Sequence, residues 1–231
     1  MRRQIFNAIV VALFGVIFAG IVCAYDERQF LRPLAEFYVT QTPLELGLPN
    51  IVTGILITWR GFDTLGEVAV LFMVAASVGL LLRPAPAPTG QLLARPPARS
   101  SGEIVETGAA TLLPLIFLFG AYVIANGHLS AGGGFQGGAI VASGVVLLLL
   151  ARPLTTLPLG ALAITESLAG VLYVSLGLLG VFFAGGFLDS RFLPAGEFGA
   201  FVSAGAIPAI SILLGVKVGA ELSVIVDRFR A

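Results

Sequence analysis

The chain has 231 residues, 57% hydrophobic and only 11% charged, with a formal net charge of zero and a mean hydropathy of +0.99. Soluble domains carry about 25% charged residues, so a water-soluble globular fold is excluded and an all-α, polytopic integral membrane protein is implied. The balanced charge leaves no basic surface for nucleic acid, and a single cysteine and a single histidine exclude an internal disulfide and a Cys/His cluster for zinc, haem or an iron–sulfur centre; no cofactor is expected, and redox chemistry, where present, belongs to a partner.

Arg2 and Arg3 precede residues 5–24, an uncharged apolar run that exceeds the length of a secretory core segment and reads as an uncleaved first helix. Residues 25–49 carry Asp26, Glu27, Arg28, Arg32, Glu36 and Glu45 among three prolines and read as an external loop with a surface helix. Residues 50–59 are apolar but fall short of the roughly twenty needed to cross a bilayer, which predicts a short or interfacial helix leading into the second span at 68–82. Asp63 and Arg60 are expected to cap and anchor that entry. Arg83-Pro84 ends the span, and residues 85–101 form a proline-rich linker by composition. The predicted domains are thus 1–84, the linker 85–101, and 102–231.

The second module opens with Glu103 and Glu106 and a third span at 107–125. It leads into the stretch 127–138, which sets His128, Gly132, Gly133, Gly134, Gly137 and Gly138 between two apolar runs. Gly132-x-Gly134-x-x-Gly137 matches a dinucleotide-binding fingerprint, but that fingerprint needs a preceding strand and an acid about 20 residues on. Both flanks are apolar on all sides and the first downstream acid is Glu166, so the glycines are read as a turn and a close-packing surface, with Gly133/Gly137 and Gly134/Gly138 at small-xxx-small spacing. Spans four, five and six follow at 135–151, 158–184 and 198–226. The arrangement is about six transmembrane helices, 2 + 4. Arg2, Arg3, Arg83, Arg95, Arg99, Arg152, Arg228 and Arg230 then share one side and outnumber Arg28, Arg32, Arg60 and Arg191 on the other, which puts both termini in the cytoplasm.

Ionisable groups inside spans persist where a partner or a water path relieves them. Glu67, Glu166, Lys217 and Glu221 are the candidates, with Asp63 and His128 at span ends. Lys217 and Glu221 are four apart on one helix face, but lysine before glutamate is the poorer order for an intrahelical pair. Two readings stay open: Lys217 snorkels to the cytoplasmic surface with Glu221 beside it, or Glu166 and Lys217 meet between spans five and six as a proton-linked ion pair. His128 is expected at an exposed helix end, either titrating near neutrality or hydrogen-bonding backbone in a turn.

The stretch 128–138, followed by Ser203-Ala204-Gly205-Ala206-Ile207-Pro208 and Gly215-Val216-Lys217-Val218-Gly219-Ala220, resembles the B subunit (MnhB type) of multisubunit Mrp-type sodium/proton antiporters. That family usually shows a proline where this chain has Ala131. Residues 50–67 resemble the carboxy-terminal part of the antiporter's large A subunit, which is equivalent to the E subunit of membrane-bound hydrogenases. The resemblance implies a fused, non-autonomous subunit of a complex related to the membrane arm of complex I, in a bacterial or archaeal cytoplasmic membrane. Its implied partners are large A- and D-type and small C-, E-, F- and G-type subunits, lipid, and sodium or another monovalent cation with protons. The leading expectation is a cation/proton antiporter subunit, not an enzyme. The alternatives are a membrane-arm subunit of a hydrogenase-like or other redox-driven pump, and a pure scaffold.

Overall fold

The computed structural model describes residues 2–26, 29–82 and 101–230. Arg83, Arg95, Arg99 and the expected linker, apart from Ser101, lie outside the described residues. The chain divides into two compact units, 1–36 and 37–231. The first contains α1 (Arg2–Cys23) and the opening turn of α2 (Pro33–Leu46). The second contains the rest of α2, α3 (Ile51–Gly54) with a π-helical turn at Ile55–Trp59, α4 (Gly61–Leu81), α5 (Glu103–Ala125), α6 (Gly134–Ala151), α7 (Leu159–Phe183), a 3-10 turn at Ser190–Phe192 and α8 (Ile207–Arg230). Among the described residues, six helices are long and apolar enough to cross a membrane: α1, α4, α5, α6, α7 and α8. The described residues form no β-sheet, only an isolated bridge between Gly196 and Ser203. The fold is therefore all-α with six membrane-length helices.

The second unit is built around α8, which packs against α4, α5, α6 and α7. Its closest neighbour is α6, and glycine explains the approach. A Cβ on Gly134 would lie 2.5 Å from the Ser211 carbonyl oxygen and 2.6 Å from the Leu214 Cβ. One turn on, a Cβ on Gly138 would meet the Gly215 carbonyl oxygen and the Val218 Cβ at 2.8 Å each. With hydrogen atoms there instead, the two backbones touch, and dispersion replaces the hydrophobic drive that lipid cannot supply. Gly137 faces the other way, towards Gly120 and Ile124 of α5. The stripe expected at small-xxx-small spacing is thus split between two partners. A satellite core of Leu46, Leu48, Ile57, Val68, Tyr173, Leu188, Ile207 and Ile210 fills the junction of α4, α7 and the start of α8.

Several boundaries differ from the sequence expectation. The last helix begins at Ile207, not near 198. Residues 196–206 instead fold as a loop tied by Ala204 N–H donating to Ala195 O (2.7 Å) and Ala206 N–H to Ser190 O (3.2 Å). Ala204 (φ 65°) and Gly205 (φ 58°) are left-handed there, a conformation that breaks a helix however apolar its sequence. The second membrane-length helix starts earlier than expected, at Gly61, and Asp63 is not its cap. The N-cap is Arg60, with no side-chain capping bond, and Asp63 sits in the first turn, ion-paired to Arg60.

Candidate functional site

Lys217 lies at the centre of α8, on the side that meets α7. Its Nζ donates to Glu166 Oε1 on α7 and to Glu221 Oε2 one turn along its own helix, at 3.0 Å each. The three side chains are 6%, 12% and 0% exposed respectively. The i,i+4 pair forms despite its unfavourable order because an interior ammonium must be paired; the lysine does not snorkel. Glycine shapes the space here as well. Gly170, one turn beyond Glu166, would place a Cβ 3.7 Å from the Lys217 Cδ, so the lysine stem lies along the α7 backbone.

A groove of about 480 Å³ opens beside this cluster, lined by Leu65, Val68 and Phe72 of α4, by Glu166 and Tyr173 of α7, and by Lys217. Lys217 Nζ stands 5.8 Å from the Phe72 ring centroid, within cation–π range. The Tyr173 hydroxyl is buried without a hydrogen-bond partner and lies in the field of Glu67. Glu67 itself is exposed on α4, apart from the cluster. An ammonium between two carboxylates, with a groove on one side, is chemically able to take a proton from one acid and give one to the other.

The glycine turn forms a second site of constraint. Gly133 (φ 149°) precedes α6 in a backbone conformation that side chains rarely adopt. The turn is clamped by residues far away in sequence. Asn50 Nδ2 donates to Gly127 O and Ser130 O at 2.7 Å each, its N–H donates to His128 O at 3.1 Å, and Thr53 Oγ1 donates to Gly127 O at 2.7 Å. His128 is not exposed, contrary to expectation: its relative exposure is 0%, and Nε2 sits 3.1 Å from Phe201 O while Nδ1 has no partner. Burial holds its pKa below the ordinary 6.5, against the opposing pull of the Phe201, Ala200 and Ala125 carbonyls. The ring closes the turn against the loop before α8.

Of the six ionisable candidates, the structure brings Glu166, Lys217 and Glu221 together and leaves Asp63, Glu67 and His128 apart from them. Sequence reasoning missed Asn50, Thr53, Phe72 and Tyr173. Each is a neutral side chain whose role depends on a distant partner, and no local pattern marks such residues. Among the described residues, no group of three or more His, Cys, Asp or Glu is placed to hold a metal ion.

Residues 104–224 match the family described as a domain related to the MnhB subunit of the Na+/H+ antiporter, and residues 1–97 match the family of the E subunit of MBH. An uncharacterised protein of Methanocaldococcus jannaschii is 29% identical over 249 residues, covering 96% of this chain and 90% of its own. Among solved structures, a chain of the membrane-bound sulfane sulfur reductase, an archaeal respiratory membrane complex, superposes with a TM-score of 0.83 at 34% identity, covering 99% of this chain and 98% of that one. A chain of the Mrp complex from Dietzia sp. superposes with a TM-score of 0.77 at 26% identity, covering 99% of this chain but 26% of its own length.

Proposed function

Given that this chain belongs to the MnhB-related family and that its amino-terminal part matches the MBH E-type family, we propose that it is a membrane-arm subunit of a redox-driven, hydrogenase-like ion-pumping complex. At the coarser level it is a non-catalytic, multi-pass membrane subunit of an Mrp-type or related multisubunit complex. The observation that carries the finer choice is end-to-end correspondence. The chain matches a single chain of the sulfane sulfur reductase complex over nearly its whole length, whereas it spans about a quarter of the Mrp chain. The antiporter reading that led on sequence alone therefore gives way to its redox-driven alternative.

Within this reading, residues 1–84 form a two-span module and 102–231 a four-span module, joined by the proline-rich segment 85–101. Both termini lie in the cytoplasm, as the arginine distribution favours. Large A- and D-type and small C-, E-, F- and G-type subunits are its neighbours. Glu166, Lys217 and Glu221 contribute to the ion or proton path, with Glu67 facing a neighbouring subunit. The buried cluster beside a groove supports that role, since ionisable groups in spans are retained where ions or protons need them.

Two measurements test this. Purification of the native assembly and identification of its companions should yield iron–sulfur subunits together with antiporter-like ones; antiporter-like subunits alone would return the chain to the Mrp class. In the intact complex, Glu166→Gln should slow ion pumping at least about tenfold, which corresponds to roughly 1.4 kcal/mol on the barrier. An unchanged rate with normal assembly would remove the cluster from the path.

A further inference from the structure

We infer that the Glu166–Lys217–Glu221 cluster holds one exchangeable proton, and that it resides on Glu221, at Oε1. This deepens the reading of the cluster as part of the path and rests on it. Two carboxylates against one ammonium leave one negative charge over, in a place where Lys217 and Glu221 are buried and Glu166 is nearly so. No second cation faces them among the described residues. Residues 134–151 of α6 contain no titratable side chain, and Glu103, Glu106 and Tyr122 of α5 and Asp63 and Glu67 of α4 are exposed. On α7 the remaining titratable group is Tyr173, and at the end of α8 Arg228 is exposed while Arg230 is already paired to Asp227 at 2.8 Å. An unbalanced interior charge is relieved by taking up a proton.

The position follows from the oxygens. Glu221 Oε2 accepts from Lys217, but Oε1 is buried with no hydrogen-bond partner. Glu166 lines the groove together with Lys217, whereas Glu221 does not and is wholly enclosed. Groove water therefore reaches Glu166 first, and the acid with no route to water is the one held neutral. On uptake the Glu221 carboxylate becomes a carboxylic acid and the cluster goes from one net negative charge to zero. On release, the Glu221 carboxyl turns its protonated oxygen to Lys217, Lys217 gives a proton to Glu166 at the groove and takes the Glu221 proton in its place, and Glu166 passes its proton to groove water, which returns the cluster to one net negative charge with no electron transferred.

The test is infrared spectroscopy of the purified whole complex, reading the C=O band of protonated carboxyl groups and its downshift in heavy water. A band belonging to this cluster should be lost in Glu221→Gln. It should also be lost in Glu166→Gln, because Lys217 then neutralises Glu221 by itself, and Lys217→Met should raise the cluster's band about twofold as both acids become neutral. Glu221→Asp keeps the acid but moves it, so the band should persist at a changed frequency; this variant decides if Glu221→Gln does not assemble. A wild-type spectrum without the band, a band indifferent to both Glu221 variants, or a band abolished by sodium at constant pH overturns the inference. Pumping measured on the same preparations separates the two claims. A Glu221 band with pumping intact in Glu221→Gln keeps the proton and removes the path; pumping lost in Glu166→Gln with no Glu221 band keeps the path and removes the proton.

Discussion

Lys217 is the shared counter-charge of Glu166 and Glu221. Lys217→Met removes the counter-charge that keeps Glu166 ionised, so that acid must also take up a proton, and breaking a buried pair in this way costs about 3–5 kcal/mol. The purified complex should melt at a markedly lower temperature, with the loss smaller in Lys217→Met/Glu166→Gln/Glu221→Gln, where no acid is left to protonate. His128 makes the opposite kind of demand, since it must stay neutral. Its folded pKa is below its unfolded 6.5, so the stability it allows is complete above that value and is lost as pH falls through the lower, folded one. The melting temperature of the complex should therefore drop on acidification below about 6.5, and His128→Gln should remove that component of the drop. Asn50 bonds to the carbonyls of Gly127 and Ser130; Gly127 O keeps the Thr53 hydroxyl and Ser130 is exposed, so Asn50→Ala should lower stability by about 0.5–1.5 kcal/mol for each bond lost.

The helices meet through what their glycines leave out. Gly138→Leu would drive a side chain into the Gly215 carbonyl and Val218, forcing α6 and α8 apart, so the chain should fail to accumulate in an assembled complex. Gly160 on α7 has nothing within 4 Å of its would-be Cβ, and Gly160→Ala should leave assembly intact, within the roughly 1 kcal/mol of helix propensity. Comparing the two by the yield of assembled complex separates packing from composition. The π-helical turn at Ile55–Trp59 is a second case. The extra residue per turn lets Arg60 N–H reach Ile55 O at 2.7 Å and turns Leu56 O towards Thr64 Oγ1 at 2.6 Å. A short apolar run thus joins α3 to α4 without a loop, and Trp59 Nε1 can donate to Thr42 Oγ1 at 2.9 Å.

At the scale of the whole molecule, large apolar side chains such as Phe72, Leu115, Leu118, Ile164, Val171 and Phe182 remain exposed along three of the membrane-length helices. Lipid and neighbouring subunits both accept such surfaces. Expressed alone and reconstituted into vesicles, the chain should move no ions, and a cation-driven pH change in such vesicles would contradict its role as a dependent subunit. Apolar run length by itself determined the six helices of membrane length among the described residues, because a bilayer demands about twenty apolar residues wherever a chain crosses and nothing tertiary can substitute for them. The same logic singled out Glu166, Lys217 and Glu221 one at a time, since charge in an oily segment is conspicuous in any context. Tertiary structure alone decided that these three share one cluster while Glu67 stands apart, that His128 is buried, and that residues 198–206 turn back instead of beginning α8. Each depends on which faces of distant helices come together, and that is fixed by glycine-to-backbone contacts and by side-chain bonds such as those of Asn50, spanning scores of residues between partners that carry no sign of each other in the chain.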